Sequence, residues 1–243
     1  MTETGDSVIL LKKERKGERR MLAELLELRP GVTAVIGGGG KTTLLRTLGG
    51  ELSRDHTVLL CTTTKIFPFP DLPCAGTEEE LARLWKSCRL LCAGQKVPDT
   101  GGKLTAPPVP MARLAEWFDY VLVEADGSAH RPLKAHAPHE PVIPPEANQI
   151  ICVVGASGFG QPIRDAAHRP DLYARLAGVE EADPITPETE AAVLKTERLH
   201  HRLFVNQADT PEDMKTVKQL AALLDGPILA GSLQKGAYFK CLS

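Results

Sequence analysis

A run of four consecutive glycines constrains this chain more than any other feature. It lies between the apolar residues 32–36 and a segment in which leucines recur at helical spacing from residue 44 to residue 52. Consecutive backbone N–H groups at a helix N-terminus bind phosphate oxygens, and glycine lets the main chain approach them without a Cβ clash. This order of strand, glycine-rich loop and helix predicts a phosphate-binding loop (P-loop) and hence a nucleotide binder. The residues predicted to hold the nucleotide here are Gly37, Gly38, Gly39, Gly40, Lys41, Thr42 and Thr43.

The side chains after the glycines predict the chemistry of the loop. We expect Lys41 to neutralise charge on the β- and γ-phosphates and the Thr42 hydroxyl to ligate Mg²⁺. The common spacing requires glycine where this chain has Val35, so the pattern reads G-x-x-G-K-T. This shortened form resembles the loop of the amide-forming Mur ligases. The motif alone therefore leaves a ligase, a kinase and a switch NTPase open.

Length and charge limit the remaining possibilities. The 243 residues, 42% hydrophobic and 25% charged, suffice for a full core. Lys plus Arg number 29 against 31 Asp plus Glu, and this balance argues against a nucleic-acid partner. We expect a flexible basic N-terminal arm at 1–17 and a single nucleotide-binding domain at 18–243. The absence of a signal-peptide pattern and of a long apolar run predicts a cytoplasmic protein without membrane contact. The six cysteines form no C-x-x-C pair and are predicted to be reduced, buried thiols.

Apolar runs alternate with helical patterns along the chain. This alternation predicts an α/β fold, a three-layer P-loop NTPase-like domain with a mostly parallel sheet. Helix starts are predicted at Thr77, where Glu80 completes a capping box, and at Thr186 and Thr210, which precede prolines. Loops 98–110 and 132–145 are long enough to be covers over a site. The predicted strands are 32–36, 58–62, 90–93, 120–124, 150–154, 203–206 and 228–230.

An acidic pair follows the fourth predicted strand. Glu124 and Asp126 come directly after apolar residues, at the strand end where parallel sheets place ligands. A P-loop protein needs a carboxylate there for Mg²⁺ or for the attacking water. We therefore predict that Thr42 and Asp126 hold Mg²⁺, directly or through water, and that Glu124 serves the metal site and orients the water. The alternative is a solvated acidic turn.

A second polar pair follows a late strand. Asn206 and Asp209 form N-x-x-D, which resembles the guanine-reading N-K-x-D motif of GTPases with Gln207 in place of lysine. A carboxylate at this position accepts hydrogen bonds from the N1–H and the exocyclic amine of guanine, and adenine offers no such pair. The alternative is that both residues only build the turn into the helix that begins after Thr210.

Three further segments carry weaker signals. Residues 155–160 are read as a glycine-rich turn rather than as a dehydrogenase fingerprint or a nucleophile elbow. A structural or surface role is favoured over a metal site for His130, His136 and His139. Residues 62–65, three threonines and a lysine, are either a switch segment beside the loop or a polar strand end.

Taken together, these segments resemble a known family. Residues 35–43, 62–66, 123–128, 133–135 and 139–144, with the terminal N-x-x-D, are similar in order to the selenium-dependent hydroxylase accessory family, also labelled YqeC. The resemblance runs from about residue 22 over nearly the whole chain. It implies a nucleotide-dependent helper in the maturation of a molybdenum hydroxylase with a labile selenium centre. The implied partners are that client enzyme or its cofactor-maturation proteins.

The leading prediction is a Mg²⁺-dependent P-loop NTPase, with GTP favoured over ATP, in which Lys41 and Glu124 are catalytic. The alternative is an ATP-dependent ligase or kinase that acts on a small cofactor precursor, with Arg131 and Lys134 binding the acceptor. A dinucleotide-dependent oxidoreductase using residues 155–160 is the least favoured of the three.

Overall fold

Strands and helices alternate along the computed structural model, which describes residues 21–241. The predicted arm at 1–17 lies outside the described residues. The strands are β1 (Gly31–Gly37), β2 (Val58–Thr62), β3 (Cys74–Ala75), β4 (Leu90–Ala93), β5 (Tyr120–Glu124), β6 (Leu133–Lys134), β7 (Ala147–Gly155), β8 (Ala167–His168), β9 (Arg202–Asn206), β10 (Ile228–Ser232) and β11 (Ala237–Cys241). The helices are α1 (Leu22–Leu25), α2 (Lys41–Leu52), α3 (Glu78–Trp85), α4 (Met111–Trp117), α5 (Ile163–Ala166), α6 (Pro170–Ala177), α7 (Pro187–Glu197) and α8 (Pro211–Leu223), with a 3-10 turn at Ala156–Gly158.

Nine of these strands form one sheet in the order β11-β10-β9-β7-β1-β5-β2-β4-β3. Neighbouring strands are parallel except β10 and β11, which are antiparallel. Strands β6 and β8 pair separately. The predicted α/β class with a mostly parallel sheet is thus confirmed, and every predicted strand is present. The prediction missed β3, β6 and β8, which are two residues long, and β11.

Helices cover both faces of the sheet. On β1, Ala34 and Ile36 belong to a buried cluster that includes residues of α6, α7 and α8. Val35 points to the opposite face and packs with α1 and α2. Because both faces are buried, the central strands are apolar almost throughout. This arrangement is the predicted three-layer domain.

The strand order reverses at β1, which lies between β5 and β7. The chain proceeds from β1 to β2 on one side of the sheet, and later continues from β7 to β9 on the other. Ligands of open parallel sheets bind outside the carboxyl ends of the strands at such a switch point. The segments that follow β1, β5 and β7 meet there.

The predicted helix starts are largely confirmed. Thr186 and Thr210 each form a capping box and precede a proline in the first turn. Thr77 caps α3 by accepting a hydrogen bond from the N–H of Glu80. The predicted capping box there is wrong in one detail, because the Glu80 carboxylate accepts from the N–H of Gly76 and not from that of Thr77.

The cysteine prediction is partly wrong. All six thiols are free, but Cys74 is exposed and Cys88 half-buried. Cys74 lies on the short edge strand β3, which leaves its side chain open to solvent. Separately, no helix among residues 21–241 combines the length and the apolar character needed to cross a membrane.

Candidate functional site

The glycine-rich loop joins β1 to α2 at the switch point. Strand β1 ends at Gly37, and α2 begins at Lys41 with Gly40 as its N-cap. The N–H groups of residues 40–43 have no hydrogen-bond acceptor among residues 21–241. This is the normal state of a first helical turn, and such N–H groups form a ready anion site. The local backbone therefore has the form that the sequence predicts for a P-loop.

The glycines of the loop also permit close packing, which the sequence analysis did not anticipate. A Cβ on Gly38 would lie 2.6 Å from the Pro132 carbonyl oxygen, and one on Gly39 would lie 2.4 Å from the Gly155 Cα. Gly39 further has a φ of 70°, a region that strongly favours glycine. Its N–H donates to the carbonyl of Arg131 over 3.2 Å. The segment before β6 and the end of β7 therefore pack directly against the P-loop.

The Lys41 side chain is buried beside its own loop. Its ammonium donates to the Gly37 carbonyl oxygen at 2.7 Å. It also lies 3.1 Å from Asp126 Oδ1 and 4.0 Å from Glu124 Oε1. A buried ammonium needs such partners because removing a charge from water costs several kcal/mol, on the order of the gain from a well-formed pair. The structure thus brings the two predicted catalytic residues, Lys41 and Glu124, together.

Thr42 and Glu124 meet at the start of α2. The Thr42 hydroxyl donates to Glu124 Oε2 over 2.8 Å. Burial raises the pKa of Glu124, while the Lys41 charge and the Thr42 hydrogen bond lower it. Mg²⁺ prefers oxygen ligands and in nucleotide sites takes few from the protein. This hydroxyl and carboxylate fit Mg²⁺ in ligand type and in number.

Asp126 lies behind the loop rather than in front of it. Its side chain is fully buried, and Oδ2 accepts from the Gly37 N–H at 2.8 Å. Oδ2 also lies 2.8 Å from His136 Nε2. Burial alone would raise the pKa of Asp126, but the His136 hydrogen bond and the charges of Lys41 and Lys134 bring it to about 2. The predicted role of Asp126 as a metal ligand does not fit this position, because Oδ2 holds the loop and Oδ1 is buried beside Lys41, 3.1 Å from its ammonium.

His136 links Asp126 to a third carboxylate. His136 Nδ1 lies 2.8 Å from Glu197 Oε2 at the end of α7, and the His136 backbone N–H donates to Glu197 Oε1 at 2.6 Å. Burial lowers the pKa of His136, but its contacts with Asp126 and Glu197 raise it above the ordinary value overall. No motif indicates Glu197, which lies 61 residues from His136 in the chain.

Lys134 belongs to the same buried network. Its ammonium lies 3.4 Å from Asp126 Oδ2 and 2.6 Å from Glu140 Oε2, and it also donates to the Gly127 carbonyl. Glu140 in turn pairs with Arg169. Because the Lys134 side chain is enclosed and fully paired, its suggested role in binding an acceptor does not fit the structure.

A cleft of about 540 Å³ opens in front of the loop. Its walls include the P-loop, Glu124 and three basic side chains from separate segments, Lys65, Lys103 and Arg131. Lys103 also lies over the ring of Phe67, 5.1 Å from its centroid. Such a concentration of positive charge favours an anionic ligand. A larger cavity of about 740 Å³ around His200 and Pro227 holds none of the predicted site residues, so the chemistry of the lining points to the smaller cleft.

The segment between Asp126 and β6 forms one wall of this cleft. Ala129 and His130 have φ angles of 46° and 61°, a region in which non-glycine residues are strained. His130 and Glu124 both line the cleft. The three histidines therefore lie apart, because the His136 side chain is buried and His139 is on the surface beside Arg169.

Asn206 braces the loop from the other side. It is buried, its amide donates to the Gly39 carbonyl at 2.7 Å, and its oxygen accepts from the Leu233 N–H at 3.0 Å. Asn206 thus ties the P-loop to the end of β10.

Asp209 lies farther out on the same edge of the sheet. It is exposed, and Oδ1 lies 3.4 Å from Lys235 Nζ. Hydrogen bonds from Ser232 and Lys235 lower the pKa of Asp209, so the carboxylate is ionised at neutral pH. Gln207 lines the cleft with its oxygen bound to the Ser157 hydroxyl at 2.6 Å. Guanine reading by Asp209 stays a prediction.

Comparison with known proteins identifies the family of this chain. The model of the YqeC protein family matches residues 33–171, which are more than half of the chain and include the P-loop, the acidic pair and the buried histidine. The chain is also 31% identical over 159 residues to the uncharacterized protein YqeC of Escherichia coli (strain K12). That match covers 62% of this chain and 62% of the length of the relative. The chain therefore belongs to the YqeC family.

Proposed function

We propose that this chain binds and hydrolyses a Mg²⁺-bound nucleoside triphosphate, with GTP favoured over ATP. One observation carries the proposal. The Thr42 hydroxyl is bound to Glu124 Oε2 at the first turn of a helix that follows a glycine-rich loop. In P-loop proteins a hydroxyl and a carboxylate in this relation hold the metal of the nucleotide.

The side chains in and behind the cleft would have different roles, according to their positions around the P-loop. Thr42 and Glu124 would hold Mg²⁺, which supplies charge neutralisation to the phosphate oxygens when bound. Lys41 brings positive charge to the loop, and Lys65 and Arg131 add to it from the facing walls. Glu124 would also orient the attacking water molecule. Asp126 keeps Gly37 and Lys41 in position from behind.

The preference for GTP rests on the late strand. Asn206 contacts the P-loop directly, so the N-x-x-D segment is adjacent to the nucleotide cleft. Asp209 follows it as an exposed carboxylate on the same edge. These positions support the guanine-reading assignment.

Family membership supports the biological role. We infer that the chain assists the maturation of a selenium-dependent molybdenum hydroxylase, as the resemblance implies. The partner would be that enzyme or one of its cofactor-maturation proteins. A switch of this kind hydrolyses its nucleotide slowly alone and faster with its client, whereas a ligase or kinase requires a small acceptor. Turnover measured with each addition distinguishes the two.

The decisive experiment is titration calorimetry with GTP, ATP and CTP, each with and without Mg²⁺. We expect tight binding of GTP that depends on Mg²⁺. Replacing Thr42 with Val should weaken Mg²⁺-dependent binding, because it removes the hydroxyl that would bind the metal. The fold should be kept, because Thr42 is exposed and contributes little to the core. Thr47→Val, farther along α2, is the matched control. Equal binding by the Thr42→Val variant and wild type would refute the metal assignment, and no triphosphate binding by wild type would refute the function.

A further inference from the structure

Two cysteines lie side by side at the edge of the sheet. Strands β3 and β4 are parallel, and Cys74 and Cys92 are direct Cα partners in their register. In-register side chains leave the same face of a sheet, and neighbouring strands are about 4.8 Å apart. Disulfide-bonded cysteines have Cα separations of roughly 4.4–6.8 Å. The backbone therefore already has the spacing that a disulfide requires.

The two thiols differ in a way that suits sequential reaction. Cys74 is exposed on the edge strand, whereas Cys92 is buried in the apolar cluster that contains Phe69 and Leu104. The neighbouring Cys92 thiol lowers the pKa of Cys74, and the Cys74 thiol together with burial raises the pKa of Cys92. Cys74 is thus the accessible nucleophile, with Cys92 directly behind it.

We propose that Cys74 and Cys92 are a reversible dithiol–disulfide pair that a low-molecular-weight disulfide such as oxidised glutathione converts. The Cys74 thiolate attacks one sulfur of glutathione disulfide, whose S–S bond breaks and releases a glutathione thiolate. The Cys92 sulfur then attacks the Cys74 sulfur, its proton passes to the departing second glutathione, and the protein disulfide forms. The two protein thiols lose two electrons and two protons in total, and one glutathione disulfide becomes two glutathione molecules.

The pair joins two segments that also form the cleft. Residues 63–73 lead from β2 into Cys74 and carry Lys65 and Phe67. Beyond Cys92, β4 continues into the bridge between Lys96 and Leu104, next to Lys103. The disulfide would therefore link β3 to β4, the two strands that adjoin the segments carrying the cleft residues Lys65 and Lys103. The proposal itself needs no nucleotide and is independent of the proposed function.

The test equilibrates the full-length protein in glutathione buffers of decreasing reduced-to-oxidised ratio. Free thiols are then blocked by alkylation, and the products are identified by intact mass and peptide mapping. We expect a single species with a Cys74–Cys92 crosslink that reverts on reduction. Cys74→Ser should abolish it. Cys88→Ser, which removes a half-buried thiol between the two strands, should leave it unchanged.

Two further measurements keep the test decisive. Cys92→Ala retains an apolar side chain in the core and should accumulate glutathione on Cys74 as a stable mixed disulfide. The oxidised wild type should unfold at a higher temperature than the reduced protein, and Cys74→Ser should show no such difference. If the wild type retains glutathione on Cys74 with Cys92 still free, or if Cys74 links to Cys88, the pairing is overturned.

Discussion

Glu124 and Asp126 are two residues apart in sequence but lie in opposite environments. Glu124 lines the cleft, with burial raising its pKa, and Asp126 sits behind the loop with a pKa of about 2. Two neighbouring carboxylates with different surroundings commonly have different roles. We therefore propose that Glu124 serves the metal and that Asp126 supports the loop.

The first prediction concerns Glu124→Gln. The amide keeps the shape of the side chain but loses its charge, so the variant should need more Mg²⁺ for nucleotide binding and turn over slowly. Calorimetry across a Mg²⁺ series and a phosphate-release assay measure both effects. Glu146→Gln, at an exposed position beyond the cleft, is the control. A variant with wild-type Mg²⁺ dependence and turnover would remove Glu124 from the site.

The second prediction concerns Asp126→Asn. Breaking a buried ion pair leaves its partners uncompensated and typically costs about 3–5 kcal/mol of unfolding free energy. The pKa of Asp126 in the folded state, about 2, lies below its ordinary value of 3.8, so the carboxylate stabilises the fold above pH 3.8 and loses this effect as the pH falls toward 2.

Urea denaturation of wild type and Asp126→Asn at pH 7 and pH 3 measures the difference between them. We expect a large difference in the free energy of unfolding between the two proteins at pH 7 and a smaller difference at pH 3. A gap that is equal at both pH values would contradict an ionised, paired Asp126.

The third prediction is that Asp209 reads guanine. Two hydrogen bonds to a charged acceptor, at about 1.5–3 kcal/mol each, favour GTP over ATP by about a hundredfold or more. Asp209→Asn offers an amide donor that suits the 2-oxo group of xanthine, so the variant should lose GTP and gain xanthosine triphosphate. Competition among the three nucleotides checks both proteins. If wild type prefers ATP, Asp209 only builds the turn into α8.

At the scale of elements, helices α6 and α7 are joined by a buried polar contact. The Tyr173 hydroxyl donates to Glu190 Oε2 at 2.7 Å, and Glu190 is almost completely buried. Burial raises the pKa of Glu190 to about 7, against the opposing effect of Tyr173. The interior of the protein thus favours the neutral form of this carboxyl group, which is protonated below about pH 7.

The fourth prediction follows from the titration of Glu190. Its folded pKa of about 7 exceeds the ordinary value of 4.5, so the unfolded chain binds fewer protons in this range and the free energy of unfolding falls as the pH rises. The total fall is on the order of 3 kcal/mol. Glu190→Gln should lack it. Urea denaturation at pH 5 and pH 8 makes the comparison, and parallel profiles for the two proteins would exclude a buried titrating Glu190.

The strands that were predicted correctly from the sequence are those buried on both faces, where nearly every residue must be apolar. Each long strand of the sheet lies between two helical layers, and its apolar run shows in the sequence. Strand β11 is antiparallel at the edge, and its residues 237–240 are only half-buried, so no continuous apolar run indicates it. The two-residue strands carry no periodicity at all.

At the scale of the whole molecule, the site was predicted only where its residues are near in sequence. The P-loop and the hydroxyl–carboxylate pair follow from local motifs. The roles of Asp126, His136 and Glu197 depend on contacts across 89 and 61 residues. No pattern along the chain encodes which of two nearby carboxylates faces inward. The same limit applies to Lys134, which was suggested for an acceptor site in the ligase or kinase alternative and which the fold encloses.

The network behind the P-loop also bears on when the loop folds during protein synthesis. The ribosome makes Gly37 early, but its support runs through Asp126 and His136 to Glu197, the last residue of α7. A domain generally folds as a unit once its segments have been synthesised. The P-loop therefore gains its full set of supporting contacts only after α7 has been synthesised. We expect nascent chains to bind nucleotide only once Glu197 has left the ribosome. Photocrosslinking of a labelled triphosphate to chains arrested at increasing lengths measures this, and labelling of chains that stop before α7 would show that the loop matures without its distant carboxylate.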